Sequence, residues 1–156
     1  MVEQVIPDAG KLVELAERVE IAKGPGTAVL ILASLEAVYP KPPSEYKPRG
    51  NPVFSLAFTE WARVDAKVRN LVQFGGLLDA ATSLFPDDCF YRSGHDGAGP
   101  DVTQFYCEAI PSAPNGLPLQ AVRAVAETEP LARAACALKA RARAASSDTA
   151  KSEGEV

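Results

Sequence analysis

The chain's only histidine, His95, stands next to Asp96, and a carboxylate beside an imidazole can orient a general base. The same pair opens His95-Asp96-Gly97, a sequence typical of a turn tip, where Asp and Gly serve backbone geometry. Turn chemistry is the stronger reading, so the pair stands as a weak candidate site. Cys89, His95 and Cys107, together with Asp96, would make a mixed zinc set if two strands brought them together. No Cys-x-x-Cys spacing supports one, and a cysteine on a half-buried strand usually packs as a small hydrophobe. Asp87, Asp88, Asp96 and Asp101 crowd one end of the same region and could hold a divalent cation, although acidic loop ends are usually just solvated. There is no Gly-x-Ser-x-Gly elbow, no Gly-x-x-x-x-Gly-Lys phosphate cradle and no second histidine. The sequence therefore assigns no catalytic residue, no metal site and no cofactor, and the expectation is a protein that is not an enzyme.

Binding is what remains. Tyr39, Tyr46, Lys47, Arg49 and Phe54 lie in or beside a proline-rich stretch, with Trp61 a little further on, and aromatic and Arg side chains of this kind carry interface energy. Trp61 fits a core position equally well. Arg133, Lys139, Arg141 and Arg143 are spread around one helix, which reads as complement to the helix dipole on a solvated face.

The elements that must position these residues follow from periodicity. Leu12, Leu15, Ala16 and Val19 share one face of a helix from about Asp8 to Glu20, with Asp8 as its N-cap. Gly24-Pro25-Gly26 ends it, Thr27 can cap the next stretch, and AVLILASLEAV is ambiguous between helix and strand, its Ala, Leu and Glu favouring helix. Residues 39–52 carry five prolines and form a linker or loop. Phe58, Trp61, Val64, Val68 and Leu71 predict a helix within 53–74. After Gly75-Gly76, a short helix begins at Leu77, and CFYRSGH and TQFYCEAI alternate as the arms of a hairpin. A third strand is expected over about Leu119 to Ala126. Thr128 then caps a helix through Ala144, with Glu129 and Pro130 in its first turn and Leu131, Ala134, Ala135, Leu138 and Ala142 as a narrow apolar stripe. The expected architecture is α+β: an N-terminal helical segment 1–38, a proline-rich linker or loop 39–52, an α-β-β-β-α sandwich with a three-stranded antiparallel sheet over 53–145, and a disordered tail 146–156.

Composition narrows the function classes. In 156 residues, 47% are hydrophobic and 23% charged, which is ordinary for a globular domain. A net charge of −4 argues against general duplex binding, so nucleic acid is not expected as a direct partner. No run of eighteen apolar residues predicts a membrane span, the first residues lack a secretory pattern, and three irregularly spaced cysteines read as reduced thiols; together these give an expectation of cytoplasmic residence.

Leu78, Asp79, Ala80, Ala81, Leu84 and Pro86, followed by a hairpin and then by Ala126, Thr128, Pro130, Leu131, Ala132, Ala135, Leu138 and Ala140, resemble small phage and prophage proteins with an α/β/α-type sandwich domain. The resemblance covers the second half of the chain. Asp88 and Cys89 depart from it, standing where the pattern has Gly and Trp. What the resemblance implies is an accessory protein of a mobile element. Such a protein would act in the host cell by docking on a host protein, for instance inhibiting a defence component such as a CRISPR effector. Two alternatives stay open: an oligomer that sequesters a small molecule such as a signalling nucleotide, and a structural part of a virion.

Overall fold

The computed structural model describes residues 7–42, 52–95, 97 and 104–153. Its elements run α1 (Ala9–Ile21), α2 (Thr27–Val38), α3 (Pro52–Gln73), α4 (Leu77–Thr82), β1 (Phe90–His95), β2 (Phe105–Ile110), β3 (Val122–Ala126) and α5 (Glu129–Glu153). The class is α+β, with helices preceding a three-stranded antiparallel sheet of order β1-β2-β3.

Local chemistry explains most element ends. Asp8 caps α1, its carboxylate accepting from the N–H of Gly10 at 2.9 Å and of Lys11 at 3.4 Å. The ambiguous apolar run is helix α2. Its N-cap is Gly26, so Thr27 is the first helical residue and not the cap expected of it; no side chain bonds the α2 amino terminus. α3 begins on Pro52, whose missing N–H costs nothing there. It ends in a Schellman turn: Gly75 takes a positive φ of 81°, its N–H donates to Val72, and the Gly76 N–H reaches back to Leu71 at 2.7 Å. The third strand is shorter than predicted. Leu119 instead closes a loop by donating its N–H to Pro111 O, and Ser112 bridges to Pro118.

α5 occupies the centre. Thr128 Oγ1 accepts from the Leu131 N–H at 3.4 Å, as its sequence position predicts. The expected narrow stripe is too narrow, because Leu131, Ala132, Ala134, Ala135, Cys136, Ala137, Leu138, Ala140 and Ala142 are all buried. A helix buried on most of its circumference needs small side chains, since each neighbour must approach closely. The helix also continues into the tail expected to be disordered, as far as Glu153.

One face of the sheet, bearing Cys107, Ala109, Val122, Ala124 and Ala126, packs on α5. On the other face Glu108 joins Arg92 at 2.7 Å and Arg123 at 3.8 Å across the three strands. The helices of segment 1–38 bury Leu12, Leu15, Val19, Ile31 and Leu35 in the same hydrophobic cluster as α5. Glu20 of α1 also accepts from the β3 Val125 N–H at 3.1 Å. No helix among the described residues is long and apolar enough to cross a membrane.

Ala135→Leu forces three extra carbons into the fully buried α5 contact. It should lower unfolding free energy by about 1–3 kcal/mol in a urea titration, whereas Thr128→Ala, which removes only a cap, should cost about 1 kcal/mol.

Candidate functional site

Arg133, Lys139, Arg141 and Arg143 of α5 are not a solvated face. Arg133 donates from Nε to Ser93 Oγ at 2.9 Å, from one terminal nitrogen to Thr82 Oγ1 at 2.7 Å, and from the other to Glu129 at 3.2 Å. Ser93 Oγ in turn donates to the same Glu129 oxygen at 2.7 Å. Lys139 bonds the Arg123 carbonyl and pairs with Glu20, and Arg143 donates to Gln120 at 2.7 Å. Arg141 reaches furthest inward, donating to Leu84 O at 2.6 Å, Phe85 O at 3.1 Å and Tyr39 Oη at 2.6 Å. Those two carbonyls end the α4 turn, where no helical N–H follows to take them. Burial pulls the Arg141 guanidinium below its usual pKa, and Tyr39 opposes that fall.

The Ser93–Glu129–Arg133 cluster is a structural tie. The serine proton is committed to the carboxylate, and no buried side-chain polar atom among the described residues lacks a partner. It fastens β1 and α4 to α5 and leaves no group poised to act on a substrate.

Above Arg141 and Tyr39 opens a groove of about 760 Å³. α3 contributes Arg63, Val64 and Lys67 to its lining, the turn after α4 contributes Asp87 and Asp88, and the start of β1 contributes Phe90 and Tyr91. Tyr91 is fixed by stacking on Phe85, with ring centroids 4.6 Å apart and planes 8° from parallel. Asp88 holds a φ of 60°, a conformation Asp tolerates better than most residues, and its carbonyl accepts from Ser112 Oγ at 3.0 Å.

The residues singled out in the sequence are placed as follows. His95 is exposed on β1, its ring 4.7 Å from that of Phe105; Asp96 lies outside the described residues, as does Asp101. Cys107 is opposite Ser93 in the sheet register, with His95 opposite Phe105 and Cys89 before the strand begins, so the imagined zinc set does not converge. No group of three or more potential metal ligands occurs among the described residues. Tyr46, Lys47 and Arg49 lie outside the described residues, and Phe54 is on α3. Tyr39 is half-buried under Arg141 and in the groove lining. Trp61, also half-buried, donates its indole N–H to Tyr39 O at 3.1 Å, has Phe58 at 5.5 Å between ring centroids, and carries the Lys41 ammonium 5.9 Å above its ring. Sequence reasoning passed over Arg63, Lys67 and Phe58. The spacing of Arg63 and Lys67, like charges four apart on a helix, was the available signal.

No protein-family model, no curated protein and no solved structure matches this chain.

Arg141→Ala strands two carbonyls and a phenol; at roughly 1–3 kcal/mol for each buried group left unpaired, a stability loss of about 3 kcal/mol or more is expected by denaturant unfolding, with Arg141→Lys recovering part of it. Burial, with Cys107 as the next cause, pushes the half-buried Cys89 thiol from its ordinary 9.0 up to about 11. The thiolate fraction at pH 8 is then about a hundredfold below that of an unperturbed thiol, so alkylation of Cys89 by iodoacetamide should be correspondingly slow at pH 8 and accelerate until pH 11.

Proposed function

We propose that this chain is a non-catalytic binding protein that docks on a protein partner through the ridge formed by Phe58 and Trp61 on α3. The observation that carries the proposal is Phe58. A large aromatic side chain 47% exposed sits beside a half-buried Trp and a Lys41 cation, with Trp61 anchored by its bond to Tyr39. Aromatic groups held rigid on a helix lose little conformational freedom when covered, which makes them efficient contacts. The lack of a catalytic constellation among the described residues leaves room for this reading but does not argue for it by itself.

The resemblance of the second half to phage sandwich proteins supports a bacterial host protein as the partner, with components of antiviral defence as the first class to test.

A photo-crosslinking amino acid placed at position 58 should join the protein to one discrete host protein, and one placed at Phe74, which is 83% exposed in the turn just after α3, should not. Phe58→Ser should abolish capture of that partner while leaving the thermal midpoint within a few degrees. Equal crosslinking from both positions, or capture that survives Phe58→Ser, would refute docking through the ridge.

A further inference from the structure

The groove is lined by charges of both signs, cations from α3 and carboxylates from the turn after α4, of which Asp87 also favours the charged form of the buried Arg141. Arg63 and Lys67 are exposed, one helical turn apart, and like charges at that spacing work against the helix. Several other cations are matched, Arg69 with Asp65 and Glu36, Arg92 with Glu108, Arg133 with Glu129 and Lys139 with Glu20. Neither Arg63 nor Lys67 has an acidic partner among the described residues. Asp87 and Asp88 line the same groove from the turn after α4, and both are exposed. Phe90, 83% exposed, offers a free aromatic face at the lip.

A ligand that fits must bring an anion to α3, hydrogen-bond donors to the aspartates and a flat face to Phe90. A phosphate suits an arginine and a lysine placed together. A carboxylate has two acceptor oxygens side by side and is best met by two parallel N–H donors, as an arginine meets it. Among nucleobases, guanine presents that pair in its N1–H and 2-amino groups. Adenine sets its amino group beside an acceptor nitrogen, which a carboxylate repels. Stacking on an aromatic ring holds either base by its face. The groove, at about 760 Å³, lies in the range that small-molecule sites occupy.

We propose that this groove binds a guanine nucleotide, with its phosphate on Arg63 and Lys67 and its base edge on Asp87 and Asp88. The inference stands independently of the docking ridge, from which none of these four residues is drawn. No bond is made or broken, and the role is retention of the nucleotide.

Isothermal titration of the full chain with GMP tests it, with AMP, guanosine and inorganic phosphate as companion titrants. GMP should bind saturably, and AMP, guanosine and phosphate should each bind at least about tenfold more weakly, because each lacks one set of matched groups. The double variant Arg63→Ala/Lys67→Ala should lose at least about tenfold in GMP affinity, and Asp87→Asn/Asp88→Asn should bring GMP and AMP to parity. All four side chains are exposed, so unchanged circular dichroism melts will show that loss of binding is not loss of fold. Absence of saturable GMP binding at millimolar concentration, equal affinity for AMP or phosphate, or indifference to the Arg63/Lys67 change overturns the proposal.

Discussion

The structure depends on a guanidinium buried where a helix has run out of donors. α4 is only six residues long and stops against Pro86, leaving Leu84 and Phe85 with carbonyls directed inward. Arg141 supplies the missing donors from α5 and with the same group takes the hydroxyl of Tyr39 at the end of α2. Three segments distant in sequence are thereby fixed by one planar, permanently charged fork. Lysine, with a single nitrogen on a flexible stem, cannot hold all three in that geometry. The alanines around Arg141 serve the same end, because only a slender helix lets α1, α4 and the sheet close around it.

The architecture was largely legible in the sequence because it rests on local signals. Asp8 and Thr128 act as the caps their positions predict, Gly75 takes the left-handed turn that a helix stop needs, and the alternation in Phe90–His95 and Phe105–Ile110 yields paired strands. What escaped prediction is what depends on partners far along the chain. Arg141, set among alanines and other cations, has the local pattern of a solvated residue; its acceptors lie 57 and 102 positions away. Ala132 and Ala137 lie off the apolar stripe, and they are core because the helix is enclosed on several sides. The tail misled in the opposite direction, since polar composition alone does not prevent a helix already under way from continuing.

The candidate site was legible only in part. Tyr39 and Trp61 stand out by residue type, and both border the relevant surfaces, but their polar atoms are spent on the scaffold. The groove takes its character from Arg63 and Lys67 on one element and Asp87 and Asp88 on another. Only the packing of α3 beside the α4 turn brings them together. A spacing rule can flag the first pair but cannot find its counterpart across a groove.

Placing the central helix after every other element also governs how the molecule reaches its native state. The α1 carboxylate of Glu20 meets Val125 across 105 positions, and Tyr39 meets Arg141 across 102. Helices α1 to α4 can form early, and α3 can pack on α2 and α4, but α1, α2 and α4 complete the burial of their apolar faces only once α5 has been made. Closing loops of that length before any contact rewards them slows the search and leaves apolar surface uncovered meanwhile. Assembly of this core is therefore a late, concerted event, and the nascent chain is most exposed to aggregation in the interval before α5 arrives.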